Sequence, residues 1–113
     1  EKPLVIVRTE ELVSHAIDRM RKYNISQIPV VDISGFVGSV DETDLFRSYM
    51  ADKNVIDKPI KEVMGKPFPV VKLSTSIEEV SKFFSKENDA VLVDLENGNH
   101  QIITKSDIIR SMK

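Results

Sequence analysis

The amino-acid sequence predicts an α+β protein of two pseudo-symmetric β-α-β-β-α repeats packed sheet to sheet, α/β in the local alternation of its elements. Two observations carry that expectation. One order of apolar patterns (strand, helix, strand, strand, helix) occurs twice along the 113 residues. The matching pieces also keep their distance: Val30-Val31-Asp32 and Leu92-Val93-Asp94 lie 62 residues apart, and Asp44 and Asp107, each in the opening turn of a repeat's final helix, lie 63 apart. A unit of roughly 60 residues buries only ~60% of its unfolded surface, so two units packing their sheets together solve what one cannot.

The elements follow in order. Leu4-Val5-Ile6-Val7 is a β-branched run that suits a buried strand. Thr9 stands as an N-cap, with Glu10 and Glu11 in the first turn of a helix whose stripe is Val13, Ala16, Ile17, Met20 and Tyr23, ended by Asn24. Ile28 to Val31 and Phe36 to Val40 form a hairpin about the turn Ser34-Gly35, with Pro29 at a position needing no ladder donor. Asp41 opens a helix with Leu45, Phe46 and Tyr49 inward. Residues 50–59 read as a linker between a first repeat, 1–49, and a second, 60–113, with a helical turn at Ile60–Met64. Pro69-Val70-Val71 then begins the second round. Ser76-Ile77-Glu78-Glu79 is a capping box entering a helix with Ile77, Val80, Phe83 and Phe84 inward. Ala90 to Val93 and Gln101 to Ile103 are hairpin partners about Asn97-Gly98, and Thr104 starts a last helix with Ile108, Ile109 and Met112 inward.

Composition narrows the function. Lys and Arg number 16 against 18 Asp and Glu, a net charge of −2, which lacks the basic excess that draws proteins to nucleic acid or anionic membranes. Without cysteine there is no disulfide, thiolate metal site or cysteine nucleophile. Two histidines, His15 and His100, are too few for a histidine metal cage. No acid–base pair or nucleophile can be assembled, so no catalytic residue is assigned, and the expected setting is soluble and cytoplasmic. The opening Glu1-Lys2-Pro3 reads as the start of a fragment of a longer protein.

The segments Ile28-Pro29-Val30-Val31-Asp32, Gly38-Ser39-Val40-Asp41-Glu42-Thr43-Asp44 and Ile102-Ile103-Thr104-Lys105-Ser106-Asp107, on this repeat layout, resemble a tandem CBS-domain pair, the Bateman module, over essentially the whole chain. That family carries Gly-x-x-Thr/Ser-x-x-Asp across the last strand and helix of a repeat. The resemblance implies that its hydroxyl and carboxylate hold adenosyl ligands such as AMP, ATP or S-adenosylmethionine. The second repeat keeps Thr104 and Asp107, with Gln101 in place of the glycine. The first keeps Gly38 and Asp44 but has Asp41 in the hydroxyl position, where a carboxylate repels phosphate. Thr104-x-x-Asp107 also fits an ordinary helix cap.

Within the family, Pro3-Leu4, Ile25 to Val31, Phe36 to Val40, Glu87 to Val93 and His100 to Ile109 look like the C-terminal regulatory region of cystathionine β-synthase. That likeness implies a non-catalytic module that binds S-adenosylmethionine and controls an attached N-terminal catalytic domain, with pyridoxal phosphate only in that parent enzyme. It implies a ligand site of Thr104, Asp107, Pro3, Leu4, Ile25, Ser26, Gln27, Ile28 and Ile102, and a weaker second site of Asp41, Asp44, Val70, Asp89 and Ala90. Lys105 either meets a phosphate or methionyl carboxylate or is a solvated lysine. An AMP- or ATP-sensing pair of another enzyme or transporter and a ligand-free module that dimerises through helical faces are the alternatives.

Overall fold

The computed structural model describes residues 3–112. The chain divides into two compact units: residues 5–67, and residues 68–112 together with Pro3 and Leu4. Each holds one three-stranded sheet. In the first unit these are β1 (Val7–Arg8), α1 (Val13–Tyr23), β2 (Gln27–Asp32), β3 (Gly35–Asp41) and α2 (Glu42–Ala51), followed by 3-10 turns at Lys53–Asp57 and Ile60–Glu62. The second unit repeats the order as β4 (Val70–Lys72), α3 (Ile77–Ser81), β5 (Ala90–Asp94), β6 (His100–Thr104) and α4 (Lys105–Arg110). In both sheets the middle strand runs parallel to the strand before the helix and antiparallel to the one after. The predicted strand–helix–strand–strand–helix order is therefore present twice.

The first strand is shorter than its apolar run. Leu4 to Ile6 lie outside the ladder, which begins at Val7 opposite Val30. Proline explains this. At the equivalent place in the second sheet Leu92 donates its amide to the Pro69 carbonyl at 2.9 Å, whereas Pro29 has no amide hydrogen and cannot carry the parallel ladder further back. Arg19 anchors the freed segment instead, donating from Nη1 to the Ile6 carbonyl at 3.1 Å. Both its terminal nitrogens also grip the Glu11 carboxylate, Nη2 to Oε1 at 3.0 Å.

Thr9 is not the cap of the first helix. Residues 9–13 are tied by backbone bonds to 58–61: Val13 N to Lys58 O at 2.9 Å, Ile60 N to Glu11 O at 2.8 Å and Lys61 N to Thr9 O at 3.0 Å. The helix starts only after this pairing, with Leu12 at the N-cap. Asn24 ends it in the left-handed region, φ 54°. Within the stretch 50–59 read as a linker, α2 runs to Ala51 and Val55 is buried, and with Ile60 it packs among Val7, Val13, Ala16, Met20, Ile28, Val30, Val40 and Leu45. Ile60, read from sequence as the opening of the second repeat, packs in the first unit's core.

The repeat also has a structural step that differs from its sequence step. Gln27 faces Asp41 and Ala90 faces Thr104, and the helix-facing pairs Ile28/Val30 and Val91/Val93 sit in their respective cores. All of these are related by 63, so Val30 corresponds to Val93 rather than to Leu92. In β3 Val30 faces Gly38 and Val31 faces Phe36, leaving Val37 as an extra residue. This bulge interrupts the alternation of β3, and beyond it the two hairpins no longer keep one step.

Several residues expected to face inward do not. The second core is Val71, Val80, Val91 and Val93, with Phe84, Leu95, Ile103 and Ile108 against it. A helix of five or six residues presents about one inward position per turn, here Val80 and Ile108; Ile77, Phe83, Ile109 and Met112 are exposed. On α1 Tyr23, and on α2 Phe46 and Tyr49, also face outward, so Leu45 alone buries α2.

Gly38 is required by close approach. The backbone of β3 meets a short extra stretch, Ser39 N to Gly65 O at 3.1 Å and Gly65 N to Ser39 O at 2.8 Å. A Cβ on Gly38 would lie 2.5 Å from Met64 Sδ and 2.9 Å from the Gly65 carbonyl oxygen. Met64 can swing aside, but the backbone carbonyl cannot without loosening the bridge. Gly38→Ala is expected to destabilise the protein by about 1–3 kcal/mol, read as a lowered denaturant midpoint with an unchanged slope. Arg19 holds the Glu11 carboxyl below its ordinary value of 4.5. A depressed folded value stabilises above the unfolded one and is lost as pH falls through the folded value. Glu11→Gln is accordingly expected to cost about 1 kcal/mol at pH 7, with wild type and variant converging in thermal midpoint as the pH is lowered below 4.5.

Candidate functional site

The strand–helix junction of the second unit is built by the β5–β6 ladder. Registered partners point to the same sheet face and alternate residues share it. Val70 faces Leu92, Leu92 faces Ile102, and Ala90 faces Thr104. Val70, Ala90, Leu92, Ile102 and Thr104 therefore share one face, while Val71, Val91, Val93 and Ile103 take the other, onto the unit's own core. Ala90 and Leu92 are fully buried, but Val70 is 49% exposed and Ile102 partly so. The result is a half-open apolar strip ending at the Thr104 hydroxyl.

Where β6 ends, α4 begins. Asp107 folds back over the first turn, and its Oδ2 accepts from the Thr104 amide at 2.8 Å and from the Thr104 hydroxyl at 3.2 Å. The other carboxylate oxygen, Oδ1, stands 3.7 Å from Arg110 Nη1. The Thr104 hydroxyl donates to the carboxylate and its oxygen accepts the Asp107 amide in the capping box, so the pair keeps free acceptor positions on the carboxylate and one on the hydroxyl oxygen. Such a pair is suited to receive hydroxyl donors, as a cis-diol provides. The helix-cap role and this acceptor role are compatible, because two of the carboxylate's roughly four lone-pair sites are taken by the cap.

Lys105 follows immediately. Its Nζ donates to the Ser85 carbonyl at 2.7 Å and pairs with Asp89 Oδ1 at 3.0 Å. Asp89 and Lys105 continue the Ala90–Thr104 register by one residue on each strand, so they form a cross-strand ion pair at the open end of the hairpin. This contact was not read from the sequence, although two opposite charges one step beyond a ladder pair are a signal that could have found it.

The junction of the first unit is occupied differently. Asp41 Oδ1 accepts the amides of Thr43 at 2.8 Å and Asp44 at 3.4 Å, and Oδ2 accepts Gln27 Nε2 at 3.3 Å. Asp41 is thus a helix cap with a bound side chain. Asp44 pairs with Arg47 at 3.2 Å on the exposed side of α2. Ser26 is tied to Glu42 through its carbonyl at 2.8 Å and its hydroxyl at 3.4 Å. The Ile25 amide closes the end of α1 on Met20 O at 3.0 Å. Ile28, expected to wall a ligand, is instead fully buried in the first core, because the alternation of β2 points it toward α1.

The residues expected to act together therefore group by unit. Thr104, Asp107, Ile102, Val70, Ala90 and Asp89 gather at the second junction, and Pro3 and Leu4 cluster with that unit. Ile25, Ser26, Gln27, Ile28, Asp41 and Asp44 belong to the first. Among the described residues no three His, Asp or Glu stand where a metal ion could be held, and no helix is long and apolar enough to cross a membrane.

The family model described as "CBS domain" matches residues 1–51 and 60–113. Among solved structures, the CBS-domain containing protein ATU1752 from Agrobacterium tumefaciens superposes with a TM-score of 0.85 at 16% identity, covering 99% of this chain and 91% of that one. The CBS domain pair of protein MJ0100, solved in complex with 5′-methylthioadenosine and S-adenosyl-L-methionine, gives 0.80 at 25% identity over 100% of this chain and 94% of that one. CBSX2, solved in complex with AMP, gives 0.73 at 21% identity over 96% and 86%. A search of curated proteins found no match.

Proposed function

The chain belongs to the CBS-domain family as a tandem pair of its repeats, and from that premise we propose that it is a non-catalytic regulatory module whose ligand is S-adenosylmethionine or a close adenosyl relative. The observation that carries the reading is the Thr104–Asp107 pair, a carboxylate and a hydroxyl with acceptor positions left over from the cap at the end of a half-open apolar strip. In this reading Asp107 accepts the ribose hydroxyls, and Val70 and Ile102 offer apolar surface to the purine. Pro3 and Leu4 adjoin the same unit. The likeness to MJ0100, which was solved with two adenosyl thioether and sulfonium compounds, supports the ligand class.

Regulation follows from differential affinity. A ligand shifts an equilibrium between two states only by as much as it prefers one of them. The proposal extends to an attached catalytic domain, with a pyridoxal-phosphate enzyme of the cystathionine β-synthase kind as the partner that the sequence resemblance suggests and the cytoplasm as the setting. A second reading, association of two copies through α2, is favoured by the exposure of Phe46 and Met50, at 63% and 62%, on one helix.

Thermal unfolding with S-adenosylmethionine, 5′-methylthioadenosine, AMP and ATP tests the first reading. A ligand at ~100 times its dissociation constant adds about 2.7 kcal/mol, a rise of several degrees in the midpoint. Asp107→Asn keeps an acceptor for the Thr104 amide but loses the charge, and is expected to weaken binding by about tenfold or more while moving the ligand-free midpoint little. No rise with any of the four ligands would overturn the reading. For the α2 reading, Phe46→Glu is expected to abolish a concentration-dependent dimer in sedimentation; an unchanged mass distribution would count against it.

A further inference from the structure

The closed end of the β5–β6 hairpin carries the pair Asn97-Gly98, and both residues are exposed. Asn97 Oδ1 accepts the Asn99 amide at 3.0 Å, a bond that folds the side chain back across the Gly98 peptide. Leu95 N to Asn99 O at 3.0 Å and Glu96 N to Asp94 Oδ1 at 2.8 Å hold the turn in that shape. Gly98 takes φ 87°, and a Cβ built on it would meet nothing within 4 Å. Among the described residues neither the Gly98 amide nor Asn97 Nδ2 has a hydrogen-bond partner.

This sets a nucleophile, an electrophilic carbon and a leaving group side by side in water. An amide nitrogen free of a hydrogen bond can give up its proton to solvent, and glycine has no side chain to shield that nitrogen. Donation from Asn99 draws electron density from Asn97 Cγ and takes up the negative charge that builds on Oδ1 during attack. The other four asparagines lack this arrangement, and none of them precedes a glycine. Ile25 and Val55, which follow Asn24 and Asn54, donate their amides to Met20 O at 3.0 Å and Asp52 O at 3.1 Å. Asn88 donates its own Nδ2 to Phe83 O at 2.6 Å. Asn99 precedes His100, which is fixed in the ladder opposite Asp94.

We infer that Asn97 is a site of spontaneous modification, where the turn itself converts the residue to a cyclic imide and then mainly to isoaspartate. Gly98 N bonds to Asn97 Cγ, the Cγ–Nδ2 bond breaks, and ammonia leaves with the proton that the Gly98 amide gave up. Water then opens the imide. Attack at the Cγ carbonyl gives aspartate. Attack at the main-chain carbonyl, the more electrophilic because of the amide nitrogen on the adjoining Cα, gives isoaspartate. In the isoaspartyl form the chain runs through the former side chain and is one atom longer at the turn. Either product places a new carboxylate on a turn that already carries Asp94 and Glu96.

The test follows the intact chain, folded in mildly alkaline buffer, by peptide mass mapping with fragmentation that separates aspartate from isoaspartate. The mass gain from amide to acid is expected at Asn97 at least about tenfold faster than at Asn24, Asn54, Asn88 or Asn99, with isoaspartate the larger product. Asn97→Gln, whose longer side chain would have to close a larger and less favoured ring, is expected to leave the turn unmodified. The same chain unfolded in guanidinium chloride separates the folded turn from the dipeptide alone. A turn already set for attack converts at a rate no more than about threefold below that of the unfolded chain. A larger slowing in the folded protein, an equal rate at any other asparagine, or aspartate as the main product would each overturn the inference.

Discussion

The second junction depends on one constraint, the antiparallel register that sets Ala90 opposite Thr104. Everything there is a consequence of that pairing. It places Thr104 at the last position of the strand and at the N-cap of the helix, with its side chain on the same face as Val70 and Ile102. It also leaves Asp89 and Lys105 opposite each other one step further on, where their charges meet. A shift of one residue would send Thr104 to the core face and Ile103 to the open one. The packing of Ile103 against Val71, Val80, Val91 and Val93 is what opposes such a shift.

The first repeat satisfies the same topology with different local solutions. Pro29 cannot donate into the parallel ladder, so β1 is two residues long and Arg19 holds the preceding carbonyl from the side of α1. A bulge at Val37 turns the far end of the hairpin, and Gly38, free of a Cβ, lets Gly65 approach β3. At its helix start a carboxylate stands where the second repeat has a hydroxyl, and it is satisfied by Thr43, Asp44 and Gln27. The two junctions are chemically unlike although the backbone order is one.

The apolar residues show how far periodicity reaches. On α1, eleven residues long, the stripe Val13, Ala16 and Met20 is buried as the spacing implies, because three turns define a face. On α3 and α4 the same reasoning picked four and three inward residues for helices with room for one per turn. Ile109 and Met112, at 67% and 74% exposure, are the outcome. Length, which sequence patterns determine least well, decided which apolar residues found cover.

The sequence by itself determined the order of elements, their duplication, the caps at Ser76 and Asp41, the turns at Ser34-Gly35 and Asn97-Gly98, and the candidate pair Thr104 and Asp107. These are local: each follows from a propensity, a cap or a period within a few residues. Tertiary structure decided the rest. Pairing of residues 9–13 with 58–61 moved the start of α1 and drew Val55 and Ile60 into the first core. The ladder set 63 as the structural repeat, and the alternation of β2 turned the Ile28 side chain into the first core. Lys105, still half exposed, found Asp89 and Ser85 across the hairpin. Each of these is a contact between residues distant in the chain or set by register, and no local preference encodes which partner a backbone amide or a charged side chain will meet.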